Sequence, residues 1–132
     1  MKGAEVGICL RLPIRTRSPN RSFTLSVGGR MAQASRAKKH KELAALALGA
    51  HLRARGLSGA DFVPVRVRLI RVSAGVLDDD NLVASLKATR DGIAKALGID
   101  DGDRARLRFA YGQRKGPKGA YEVECLIERG AA

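Results

Sequence analysis

Three consecutive aspartates, Asp78, Asp79 and Asp80, followed by Asn81, stand where an alternating apolar segment gives way to a helical pattern. Carboxylates are hard oxygen ligands suited to Mg²⁺. In an extended stretch residues two apart point the same way, so Asp78 and Asp80 can converge on one ion while Asp79 points elsewhere. An aspartate ahead of a helix is also a favoured N-cap, worth about 1 kcal/mol, and acidic residues there suit the helix dipole. A cap accounts for one carboxylate, however, and the mutual repulsion of three favours either a bound cation or a solvated turn. A second pair, Asp100-Asp101, has two readings as well: an ordinary polar surface turn, or further ligands. The helix expected over 81–97 is about 25 Å long, so its ends cannot meet across a straight rod. Asp101 reaches the first cluster only if the chain turns at Gly98 and runs back beside that helix. Lys87 and Asp91 lie opposite the helix's apolar stripe, spaced for an i,i+4 surface ion pair. Lys87 also projects from the first turns of the helix that begins at the carboxylates, where it can hold a phosphate beside a metal.

The elements that must position these groups follow from periodicity. Val6, Ile8, Leu10 and Leu12 alternate with polar residues, which predicts a strand with one buried face, ended by Pro13. A basic loop carrying Arg15, Arg17 and Arg21 leads to a short strand expected over 23–27, closed by Gly28-Gly29. Residues 31–55 hold strong helix formers and no proline, with Leu43, Ala44, Ala47, Leu48 and Leu52 as an apolar stripe. Val63, Val65, Val67 and Leu69 predict a second clear strand running towards the acidic cluster. The helix over 81–97 places Leu82, Leu86, Ile93 and Leu97 on one face, with Gly98 as its C-terminal cap. Residues 104–111 and 120–128 both alternate, and the glycine-rich basic link 112–119 predicts that they form a hairpin. The fold class expected is α+β: two main helices packed on a mixed or mostly antiparallel sheet. Residues 1–129 read as a single domain and 130–132 as a loose tail.

Composition narrows the partners. The 132 residues carry 25 Lys and Arg against 13 Asp and Glu, a formal charge of +12, which points to a polyanion. The span 78–103 runs against that trend, with seven aspartates facing Lys87, Arg90 and Lys95, a local −4 that leaves +16 on the remainder. Gathering carboxylates in one segment weakens the pull on phosphates there, and metal binding explains why. Basic residues that can reach phosphate are Arg15, Arg17 and Arg21 in the first loop, Arg36, Lys38, Lys39 and Lys41 on the long helix, and Arg114, Lys115 and Lys118 at the hairpin tip. For the helix, a merely solvated face is an equal alternative. Five Phe and Tyr and no Trp are too few for base-stacking platforms, so backbone-directed binding to duplex or branched DNA fits better than single-strand or RNA reading. No apolar run is long enough to cross a bilayer, and no secretory leader is evident, which gives a cytoplasmic expectation. Cys9 and Cys125 have no metal or redox spacing and read as small hydrophobes in strands. His40 and His51 read as ordinary surface or boundary residues.

The run Leu77-Asp78-Asp79-Asp80-Asn81-Leu82, then Leu86-Lys87, Asp91-Gly92-Ile93, Ala96-Leu97-Gly98 and Asp100-Asp101, resembles the signature of the RusA family of Holliday-junction resolvases, often carried by phages and prophages. The likeness extends more weakly to Pro19-Asn20, the basic helix, the preceding strand and the closing hairpin. It implies a homodimer of small α+β subunits, dependent on Mg²⁺ or Mn²⁺, that makes paired symmetric cuts in a four-way DNA junction during recombination and repair. By position Asp78, Asp80 and Asp101 match the family's essential carboxylates, with Asp100 beside them as a further metal ligand. The family's lysine falls four residues after the second aspartate, where this chain has Ala84. Lys87 lies on the same helix side one turn later and is the catalytic candidate in its place. Two alternatives stand beside the nuclease: a catalytically inactive junction-binding protein of the same fold, and a basic structural or ribosome-associated protein with a capped helix.

Overall fold

The computed structural model describes residues 7–16 and 27–130, the side chains of 27–30 excepted. Strand β1 (Gly7–Leu12) ends at Pro13 as the alternation predicts, burying Ile8 and Leu12. Helix α1 (Val27–Ala54) buries Ala44, Leu48 and Leu52, with Leu43 and Ala47 half-buried beside them. Its start corrects one expectation. Val27, Gly28 and Gly29 are helical rather than the end of a strand. Once the strong formers downstream have nucleated the helix, each added glycine costs only about 1 kcal/mol. The rest of that expected strand, together with Arg17, Pro19, Asn20 and Arg21, lies outside the described residues.

A short 3₁₀ turn (Gly59–Phe62) leads into β2 (Val65–Ser73), whose Val65, Val67 and Leu69 are buried. Beyond it the single helix expected over 81–97 is two: α2 (Asp79–Ser85) and α3 (Lys87–Leu97). Leu86, with φ −101° and ψ 0°, separates them, and its fully buried side chain holds the bend. Gly98 closes α3 in the left-handed conformation (φ 71°), the cap predicted for it. Strands β3 (Leu107–Lys115) and β4 (Glu122–Arg129) complete the chain.

The four strands form one mixed sheet in the order β1-β4-β2-β3. β2 lies antiparallel to β4 and parallel to β3, so β3 and β4 are not the expected hairpin: β2 sits between them. The link from β3 to β4 crosses the end of β2 instead, where the Gly116 amide donates to the Ser73 carbonyl. A Cβ at Gly116 would stand 2.9 Å from a Val72 methyl, so only glycine makes this crossing without displacement. β2, α2, α3 and β3 thus constitute a β-α-β crossover, the connection that parallel strands require.

Both long helices cover the same sheet face. The α1–α3 contact is close enough that a Cβ at Gly92 would lie 2.3 Å from the Lys41 carbonyl oxygen. Inward-facing residues of all four strands join Leu48, Phe62, Leu82, Leu86 and Ile93 in one core. Each fully buried side chain of this size contributes about 1.5–3 kcal/mol relative to exposure. Among the described residues no helix is long and apolar enough to cross a membrane. Cys125 is the small buried hydrophobe expected, its thiol pushed up to about 12 by burial and by Cys9, but Cys9 itself is exposed on the uncovered sheet face. Gly130, assigned to a loose tail, is tied by its amide to the Pro64 carbonyl.

Candidate metal and nucleic-acid site at one end of the sheet

Polar residues collect where β2 and β3 end. The inward positions of β2 run Val65, Val67, Leu69 and then Arg71 and Ser73. Those of β3 run Leu107, Phe109, Tyr111 and then Gln113, the register partner of Arg71. This change from apolar to polar on the covered face marks the end of the core and the start of the site. In sheets with helical crossovers, ligands bind outside the carboxyl ends of the strands.

The acidic turn emerges here. Gln113 takes hold of Leu77 twice: its Oε1 accepts from the Leu77 amide at 3.0 Å and its Nε2 donates to the Leu77 carbonyl at 2.6 Å. Asp78 follows as the N-cap of α2, its Oδ1 accepting from the Asn81 amide at 3.0 Å. Asp79 and Asp80 fill the first helical turn and are exposed. The helix therefore begins two residues before Asn81, and the extended alternation that paired Asp78 with Asp80 ends at the cap. Asp78, Asp79 and Asp80 have no ion-pair partner among the described residues.

The second acidic pair divides. Asp100 Oδ1 accepts from the Gly102 amide at 2.9 Å, a local turn contact. Asp101 returns along α3 as far as Arg90, whose Nη2 stands 3.4 Å from Asp101 Oδ2. The same guanidinium donates to the Tyr111 hydroxyl at 3.3 Å and lies 3.6 Å from Asp91. Burial works against Arg90's charge, but the Tyr111 hydrogen bond and the two carboxylates outweigh it and raise its pKa. Asp91 therefore pairs with Arg90 and not with Lys87, because α3 turns Arg90 into the cleft beside it. Tyr111 and Gln113, about 7 Å apart on one face of β3, link the two acidic neighbourhoods. Among the described residues no three His, Cys, Asp or Glu side chains come within reach of one ion, so Asp101 and Asp100 are not gathered with Asp78 and Asp80. Lys87 is the exposed first residue of α3, one helix beyond the acidic turn.

The basic candidates surround the same end unevenly. Arg15, just past β1, stacks over the Tyr121 ring at 4.4 Å. Lys115 and Lys118 are exposed at and after the end of β3. Arg114 is spoken for: it donates through both terminal nitrogens to Glu124, one contact at 2.8 Å. The α1 C-terminus lies at the opposite end, where Arg55 donates to the Gly7 carbonyl. The N-terminal half of α1 therefore extends towards the acidic end. Lys38, Lys39 and Lys41 are exposed there, Arg36 is half-buried, and none has an acidic partner among the described residues. His40 is half-buried on the same stretch and its pKa is lowered, by burial first and by Arg36 second.

Arg71, Arg90, Tyr111 and Gln113 are absent from any motif in the sequence. The available signal was a polar residue at an inward strand position, which Arg71 and Gln113 both display. No protein-family model matches the chain, and no curated protein matches it.

Proposed function

We propose that this chain is a divalent-metal-dependent endonuclease that cuts branched DNA, with the acidic turn at the end of β2 as its catalytic centre and Asp78 and Asp80 as its principal metal ligands. The observation that carries the reading is the run of three exposed aspartates without cationic partners among the described residues, on a turn gripped from the sheet. Mg²⁺ takes one or two protein carboxylates together with waters and substrate phosphate, and Asp80 with the free Oδ2 of Asp78 offers such a set. When bound, the ion supplies charge neutralisation at the phosphate and a water of lowered pKa. The protein's own part is to place the carboxylates, to hold the DNA backbone through Arg15, Lys38, Lys39 and Lys41, and to offer Lys87 to a phosphate. Asp101 is the proposed additional ligand, reached when substrate phosphate draws Arg90 away. Paired symmetric cuts need two such centres related by a two-fold axis, hence a homodimer. This agrees with the RusA-like motif.

A second reading is supported by Arg90 alone. Its guanidinium already pairs with both Asp91 and Asp101 and so competes with a cation for Asp101, as expected of a junction-binding protein that does not cut.

A synthetic four-way junction with Mg²⁺, Mn²⁺ or EDTA tests both. The nuclease yields paired nicks with metal and none with EDTA, and Asp80→Asn cuts at least 100-fold more slowly with junction affinity retained. A wild-type protein that binds the junction and leaves it intact in both metals establishes the second reading.

A further inference from the structure

We propose that Arg71 and Gln113 are positioning residues, a two-armed clamp that fixes the 75–77 turn and thereby sets where Asp78, Asp79 and Asp80 stand. The two are register partners on adjacent parallel strands and face the same side of the sheet. Arg71 donates from Nη1 to the Gly75 carbonyl at 2.8 Å and from Nε to the Thr16 hydroxyl at 2.7 Å. Gln113 holds both backbone groups of Leu77. Between these grips lies only Val76, exposed, and after them comes the Asp78 cap.

The chemistry of each arm is specific. A primary amide offers one acceptor and a donor pair, so Gln113 reproduces on Leu77 the two-bond exchange that one strand residue makes with another. A glutamate there cannot donate to the carbonyl, and a leucine can do neither. Arg71 is only 6% exposed and has no carboxylate partner among the described residues. Burying a guanidinium without a counter-ion is costly, so its retention calls for a return. It gives two: a charge-assisted bond to the turn, and a fixed positive charge at the base of the turn that carries three mutually repelling carboxylates. Through Thr16 it also ties the segment after β1 to the same turn.

The clamp's consequence for metal binding rests on the nuclease reading, but the clamp itself does not. Amide hydrogen exchange and Mn²⁺ titration, both read by NMR on full-length protein, separate the two. In Gln113→Leu the Leu77 amide is expected to exchange at least 100-fold faster, while core amides such as Leu69 and Ile127 keep their protection. Mn²⁺-induced broadening at Asn81 is expected to need about tenfold more metal. Gln113→Glu keeps the acceptor and recovers part of the Leu77 protection. Arg71→Lys, which keeps the charge and loses the fork, is expected to weaken Mn²⁺ binding in the same direction. The proposal is overturned if Gln113→Leu leaves Leu77 exchange unchanged, or if core amides lose protection in parallel. It is overturned equally if wild type binds Mn²⁺ at the turn and neither variant weakens that binding. A wild type without Mn²⁺ broadening, combined with selective loss of Leu77 protection in Gln113→Leu, upholds the clamp and removes the metal reading.

Discussion

Thr89 is completely buried on α3, and its hydroxyl has no hydrogen-bond partner among the described residues. A buried hydroxyl without a partner costs about 1–3 kcal/mol, whereas a methyl of the same shape suits an apolar site. Thr89→Val is therefore expected to stabilise the protein by about 1 kcal/mol, or roughly 4 °C in thermal midpoint. Calorimetry that finds the variant less stable would mean that the hydroxyl is paired in solution. The next residue is Arg90, whose role could not be read from its neighbours in the chain. The i,i+4 rule offered Lys87 for Asp91, but that rule considers only one helix. Tyr111 on β3 and the returning Asp101 are what fix Arg90, and both arrive through tertiary structure.

At the level of elements, Gly92 is a point of close approach between α1 and α3. A methyl there meets the Lys41 carbonyl at 2.3 Å and the Ala44 methyl at 2.9 Å, and the first of these is backbone. Gly92→Ala gains helix propensity but must force the helices apart, so a net loss of about 2 kcal/mol is expected in denaturant titration. Gain of stability would show the contact to be looser than described. Outside the core, Arg114 reaches across β2 to Glu124 on β4, joining strands that are not neighbours. The Arg114 hydrogen bond holds the Glu124 carboxyl below its ordinary 4.5, against the opposing effect of burial. The depressed pKa fixes the sign: the contribution is present above about pH 4.5 and fades as pH falls through the lower folded-state value. Glu124→Gln should accordingly melt below wild type at pH 7, with the gap closing on acidification. A gap that stays constant with pH would exclude the ion pair as its source. Individual strands and helices were legible because alternation and amphipathicity are local. Their pairing was not, since a glycine-rich link between two strands reads as a hairpin whether or not a third strand is inserted. The split at Leu86 was hidden for the same reason, because a buried leucine at a bend keeps the helical stripe intact.

For the molecule as a whole, the meaning of the charge segregation visible in the sequence is refined by what is already paired. Asp78, Asp79 and Asp80 were identifiable because three carboxylates exceed the needs of one cap. The clamp behind them was not, because Arg71 and Gln113 are ordinary polar residues until the register sets them side by side. Likewise the sequence ranks Arg114 with the free cations, whereas Glu124 compensates it and leaves Lys38, Lys39 and Lys41 as the stronger candidates for the proposed phosphate contacts. The distinction is measurable as counter-ion release. Each phosphate contact contributes roughly −0.9 to the slope of log affinity against log salt on duplex arms. Replacing Lys38, Lys39 and Lys41 together by Gln should reduce the magnitude of that slope by about 2.7, with junction affinity at low salt falling by orders of magnitude. Arg114→Gln should move the slope by less than roughly 0.5, because the lost charge was matched within the protein. Filter binding or fluorescence anisotropy between 50 and 200 mM salt, on the order used for such slopes, reads both variants. If Arg114→Gln flattens the slope as strongly as one lysine replacement does, Arg114 leaves Glu124 for the DNA, and the binding surface extends across the end of β3.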